Sequence, residues 1–118
     1  LKYAIFDVID MLLGNDKTVI TSLPSQGVVS VFTQNFNGGR RLINHVLYAI
    51  PKVRGKGIEI IEDIPAVFNT KVCIKTDKTP SKVYIAPEIK PIPFSYENGR
   101  VTYSIPDFTC STLVIIEF

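Results

Sequence analysis

From Gly27 onward, short apolar runs are broken every ten residues or so by Gly, Pro, Asn or Lys-rich turn segments. That rhythm constrains the fold more than any other feature of the chain. An uninterrupted helix of several turns has no place in it, whereas short strands joined by turns do. Repeated at this spacing, such strands are the mark of an antiparallel β-sandwich. Eight strands are expected, at 28–33, 41–49, 57–62, 67–76, 82–86, 92–97, 100–105 and 111–118. The expected fold is mainly β, an immunoglobulin-like antiparallel β-sandwich preceded by one N-terminal α-helix.

The stretch from Arg40 to Tyr48 reads as the central strand. Successive side chains of a strand point to opposite faces, so Ile43, His45, Leu47 and Ala49 share one side and Leu42, Asn44, Val46 and Tyr48 the other. Both sides are mostly apolar, which predicts a strand set between two layers. Gly38-Gly39 before it and Pro51 after it punctuate the run. Asn98-Gly99 predicts a two-residue type I′ hairpin, because both residues tolerate positive φ. Its register follows, with Glu97 facing Arg100, Tyr96 facing Val101 and Phe94 facing Tyr103. In 67–76, Phe68, Thr70, Val72 and Ile74 fall on one side and Asn69, Lys71, Cys73 and Lys75 on the other, which predicts one wet face. Pro80, Pro87, Pro91, Pro93 and Pro106 are expected at strand ends or edges, where a missing N–H breaks no ladder.

Residues 1–13 carry polar groups only at Lys2, Asp7 and Asp10, within one sector of a helix. The remaining surface, including Leu1, Ala4, Ile5, Val8, Met11 and Leu12, predicts a mostly buried helix ended by Gly14 and Asn15. A helix this apolar needs cover on more than one side. Thr18 to Leu23 follows as a short β-branched strand. Residues 1–24 therefore read as a helix-strand remnant of an upstream α/β domain, and 25–118 as the sandwich.

With 118 residues, 46% hydrophobic and 20% charged, the chain suits one folded domain. A net charge of +2 with scattered Lys and Arg argues against nucleic acid as a partner. The one basic cluster, Lys52-Val53-Arg54-Gly55-Lys56, reads as a solvated turn. No apolar run reaches the ~20 residues of a membrane-spanning helix, so no membrane partner is expected. No signal segment precedes Leu1, and the first residues look like the middle of a folded element. A cytoplasmic fragment of a longer protein is the expectation. Cys73 and Cys110 lack any C-x-x-C spacing and read as two buried thiols.

No set of residues assembles a recognisable reaction. His45 is the only imidazole, lacks a Ser or Cys nucleophile at an elbow motif, and reads as a hydrogen-bonded structural residue. Glu62 and Asp63 are the best acid pair, but strand neighbours point to opposite faces, whereas a retaining glycosidase needs carboxyls ~5 Å apart across a sugar. With Glu59, they read as the polar end of a strand. Gly38-Gly39-Arg40 and Arg54-Gly55-Lys56-Gly57 lack the context and the Lys-Ser/Thr ending of a phosphate cradle and read as turns. Tyr3, Tyr48, Tyr84, Tyr96 and Tyr103 could stack on sugars, but there is no Trp. No catalytic, cofactor-binding or metal-binding residue, and no cofactor, is expected.

A resemblance lies in the order of strand and turn residues: Leu23-Pro24, Gln34, Arg41 with His45 and Tyr48, Ile60-Ile61-Glu62-Asp63-Ile64-Pro65, Val83-Tyr84-Ile85-Ala86-Pro87, and Thr112-Leu113-Val114-Ile115-Ile116. The chain resembles the C-terminal end of a family of glycoside hydrolases similar to family 42 β-galactosidases and α-L-fucosidases, enzymes of carbohydrate metabolism. The resemblance implies a catalytic (β/α)₈ barrel upstream, then a flavodoxin-like trimerisation domain, then a small β-sandwich. It implies a non-catalytic accessory or assembly domain whose partners are the barrel, the trimerisation domain and possible further copies of itself. None of the matched residues corresponds to a barrel carboxylate. The alternative is a free-standing carbohydrate- or protein-binding β-sandwich module.

Overall fold

The computed structural model describes all 118 residues, the side chain of Asn15 excepted. Helix α1 (Lys2–Leu13) and a 3-10 turn (Gly14–Asp16) lead into ten strands. These are β1 (Val19–Thr21), β2 (Val28–Phe36), β3 (Gly39–Tyr48), β4 (Pro51–Gly55), β5 (Ile58–Ile61), β6 (Ala66–Lys75), β7 (Lys82–Ala86), β8 (Lys90–Pro91), β9 (Phe94–Glu97) and β10 (Arg100–Glu117). The expected antiparallel sandwich behind one N-terminal helix is present.

Strand β10 holds the two layers together. Its first half lies between β6 and β9, with β1 beyond β6, and its second half lies between β3 and β7, with β2 beyond β3. The chain was expected to break here into 100–105 and 111–118, yet one strand runs through both layers, with Pro106 inside it. The reason is a change of phase. Val101, Tyr103 and Ile105 point into the core before the corner, whereas Val114 and Ile116 do so after it. Period-two alternation cannot pass from odd to even positions without a slip. The slip falls between Ile105 and Phe108, since Phe108 is already buried at an even position, and it lies opposite Asn69 of β6, whose φ is +51°; a strand that slips and bends can turn from one sheet into the next.

The Asn98-Gly99 hairpin has the expected register, with Arg100 opposite Glu97 and Tyr103 opposite Phe94, and positive φ at both turn residues. A second hairpin of the same chemistry joins β2 to β3. Its turn is Asn37-Gly38, at φ 49° and 74°, and Gly39 already belongs to the strand rather than to the expected Gly38-Gly39 turn. The sequence 51–55, expected as a solvated turn, is strand β4. It pairs with β5 through a bulge between Val53 and Gly55, and the turn proper contains Gly57 at φ 72°.

Inside the sandwich, Val46, Val72, Ile74, Val101, Ile105, Val114 and Ile116 are fully buried. One polar pair crosses this interior: the Asn44 amide donates from Nδ2 to the Tyr103 hydroxyl at 2.5 Å, joining β3 to β10. Burial raises the Tyr103 pKa well above its ordinary value, while the Asn44 hydrogen bond acts in the opposite direction. The wet face expected on β6 is present at Asn69, Lys71, Cys73 and Lys75, opposite buried Thr70, Val72 and Ile74. Phe68, expected on the apolar side, is exposed.

Two elements stand apart from this body. No residue of α1 is buried, its only substantial contact is with the 3-10 turn, and an Asp10–Lys17 ion pair ties it to the linker. The helix ends at Gly14 as expected, but it is exposed rather than mostly buried. The β4–β5 hairpin likewise packs mainly on itself. These extensions explain a radius of gyration of 16.1 Å, against about 13.5 Å for a compact chain of this length.

Candidate functional site

Only one face of β3 joins the core. Leu42, Asn44 and Val46 are buried, while Ile43 and His45 are half-buried and Leu47 is exposed on the other face. The expectation of a strand covered on both sides is therefore corrected: the second layer faces one side of β3, and the other side is only half-covered at Ile43 and His45 and exposed at Leu47. Neighbouring strands extend that open face. Register places Phe32, Ile43, Ile115 and Tyr84 in one row across it, and Ser30, His45, Leu113 and Ala86 in the next. Phe32 is 58% exposed.

One end of the open face is closed by its own polar side chains. Arg41 donates from Nε to Gln34 Oε1 at 2.8 Å and lies over the Phe36 ring, with its guanidinium carbon 3.9 Å from the ring centre. Tyr84 donates its hydroxyl proton to Glu117 Oε1 at 2.8 Å. Burial, then this hydrogen bond to a carboxylate, raises the Tyr84 pKa.

The other end is a concavity of about 510 Å³. It lies where β7 has ended and β10 continues alone towards its corner. Between Tyr103 and Leu113, β10 has a strand neighbour on one side only, because β9 reaches only Tyr103 and β7 begins only at Leu113. Around this gap stand His45, Glu88, Lys90, Asp107, Thr109 and Ser111, over an apolar floor that includes Ala86, Pro87 and Leu113. The Ala86-Pro87 peptide is cis. Among the described residues, none of these six polar side chains makes a hydrogen bond or ion pair with another part of the chain. The expected structural hydrogen bond of His45 is thus not made. Its ring belongs to the rim of a cavity, because the layer that would have buried it lies on the other face of β3.

The remaining residues singled out from sequence do not converge. Glu62 and Asp63 lie just beyond β5 on the projecting hairpin, where Lys52 reaches Glu62 at 3.4 Å and Asp63 at 3.9 Å, and Arg54 pairs with Glu62. They are the polar end of a strand, as expected, and are not among the residues that line the cavity. The tyrosines form no common platform. Tyr103 is in the core, Tyr48 and Tyr96 pack against it, Tyr84 is on the open face and Tyr3 is on the helix. Cys73 and Cys110 are free and half-exposed, not buried, because one lies on the wet face of β6 and the other at the corner of β10. No three His, Cys, Asp or Glu residues gather as a metal-holding group among the described residues, and no helix is long and apolar enough to cross a membrane. The cavity was not foreseen, since it arises where one strand stops and another changes phase. The signal available was the mismatch between 100–105 and 111–118 in the parity of their apolar residues.

No protein-family model matches the chain, and no curated protein does. Among solved structures it is similar to α-L-fucosidase isoenzyme 2 from Paenibacillus thiaminolyticus, at 36% identity and a TM-score of 0.86. The similarity covers 97% of this chain and 17% of that one. An α-L-fucosidase is a glycoside hydrolase, so the resemblance carried by the strand and turn residues is borne out. The chain spans about a sixth of its structural neighbour and corresponds to a small domain of it.

Proposed function

We propose that this chain serves as a non-catalytic C-terminal accessory and assembly domain of a glycoside hydrolase, placed after a catalytic barrel and a trimerisation-like domain. The observation that carries the proposal is helix α1. Its large apolar side chains are exposed, from 40% at Ile9 to 77% at Met11, and apolar surface left uncovered in this amount marks a protein interface. The helix is read as the last part of the preceding domain, and residues 25–118 as the sandwich. Strand β1 links the two by adding to the edge of β6. Chemistry supports the same division of labour. Glycoside hydrolysis needs an acid and a nucleophile or base on opposite sides of a sugar in a screened site, whereas here Glu62 is engaged by Lys52 and Arg54 on an exposed arm.

The test uses the chain as it stands. Light scattering should show self-association through the helix, and Ile5→Asp with Val8→Asp should lower the mass while leaving the β-sheet spectrum intact. An unchanged mass would remove the main support for an assembly role. A panel of aryl glycosides should give no turnover, and turnover lost on Glu62→Gln or Asp63→Asn would overturn the non-catalytic reading.

A further inference from the structure

We infer that the concavity rimmed by His45, Asp107 and Ser111 is a binding site for a neutral saccharide, one or two pyranose units in size. The first argument is its unpaired polar groups. At the opposite end of the same face, Gln34, Arg41, Glu117 and Tyr84 hold one another. At the cavity, seven polar side chains, the six around the gap and Thr112, line one hollow, and none makes a side-chain hydrogen bond or ion pair among the described residues. All but His45 and Thr112 are exposed to solvent, so a ligand entering the hollow exchanges its hydroxyls for water on these groups without first breaking a contact within the chain.

The kinds of group then select the guest. Carboxylates at Glu88 and Asp107 only accept, Lys90 only donates, and the hydroxyls of Thr109 and Ser111 do both. A ring carrying several hydroxyls, each able to donate and accept, matches that mixture better than a ligand of one polarity. Two carboxylates against one ammonium disfavour an anion. The apolar floor of Ala86, Pro87 and Leu113 suits the C–H face of a pyranose, and about 510 Å³ lies within the usual range for small-ligand sites. No aromatic ring is presented flat for stacking, since the Phe108 side chain is 7% exposed. Affinity should accordingly be weak, on the order of millimolar. The inference uses this chain's own cavity and does not depend on whether helix α1 docks on a parent enzyme.

The experiment is a titration of the isotope-labelled chain with L-fucose, D-galactose and D-glucuronate, followed by amide NMR. At least one of the two neutral sugars should produce saturable shifts confined to 86–90, 107–113 and the neighbourhood of His45. Asp107 and Ser111 are exposed, so Asp107→Ala and Ser111→Ala should leave the rest of the spectrum in place. Each should weaken binding by about tenfold, as loss of one ligand hydrogen bond does. Absence of saturable shifts with both neutral sugars, shifts located elsewhere, or unchanged binding in both variants would overturn the site. D-glucuronate binding as tightly as the neutral sugars would overturn the assignment to neutral saccharides.

Discussion

Residues of the same kind meet opposite fates in the sandwich body and in its two extensions. In the body, Val46, Val72, Ile74, Ile105 and Ile116 are fully buried. On the β4–β5 arm, Val53, Ile58, Ile60 and Ile61 are exposed, as are Ile5, Val8 and Leu12 on α1. The difference lies in position along the chain, not in hydropathy. Strands threaded by β10 are brought against a second layer, whereas α1 precedes the first strand and the arm leaves the sheet between β3 and β6. Apolar side chains in the body therefore stabilise this fold, and those on the extensions can stabilise only a contact with something outside it.

The largest expected effect tests the body. Ile74 lies near the end of β6, between Val19 of β1 and Val101 of β10, with no exposed surface, so Ile74→Ala removes buried methyl groups and leaves a cavity. A loss of about 2–5 kcal/mol is expected in chemical denaturation, a large part of the stability of a small domain. A loss under ~1 kcal/mol would show that the interior is loosely packed and that body and extensions differ less than their exposure implies.

A smaller effect is expected from the polar pair within that interior. Tyr103→Phe keeps the ring but deprives the buried Asn44 amide of its partner. The cost should be about 1–3 kcal/mol, that of an unsatisfied buried polar group. Asn44→Leu combined with Tyr103→Phe should recover part of it, because neither partner is then left unpaired. Failure of the double variant to recover would mean that the pair fixes the spacing of β3 and β10 in a way an apolar pair cannot.

How much of this was legible in sequence differs between the same regions. The body was readable wherever local chemistry decides structure. Asn98-Gly99 set a register because only that turn fits two positive φ values, and the alternation in 67–76 exposed one face of β6. The Asn37-Gly38 turn carried the same chemistry, but the adjacent Gly39 obscured which pair made the turn. The continuity of β10 was illegible because Pro106 and the switch of apolar parity both look like a break. The arm was hidden because its alternating Lys52, Val53 and Arg54 form a charged strand with no layer beneath it. The cavity at His45 depended on where β7 stops relative to β10, a long-range relation that no local pattern encodes. Helix α1 was legible as apolar, but its covering surface is not supplied by these 118 residues.

The sharpest comparison uses one substitution in both regions. Gly99 closes the β9–β10 hairpin at φ 73°, and Gly57 belongs to the turn of the arm at φ 72°. A Cβ at Gly57 would meet nothing within 4 Å, and at Gly99 only the Thr76 carbonyl oxygen at 3.6 Å, an ordinary contact. Sterically the two sites are equivalent, so alanine should impose the same local backbone cost of about 1–2 kcal/mol at each. What differs is how that cost connects to the rest of the fold. The Gly99 turn is fastened to the body, since its carbonyl accepts from the Thr76 N–H at 2.8 Å and the following strand is β10 itself. Gly99→Ala should therefore lower global stability by nearly the whole amount. The arm packs mainly on itself, so it can open while the sandwich stays folded, and local opening separates its strain from the global transition. Gly57→Ala should leave the denaturation midpoint almost unmoved and instead speed hydrogen exchange at the β4–β5 amides alone. Equal losses of global stability from the two variants would mean that the arm unfolds with the body, and its apolar residues would then have to be counted as part of the core.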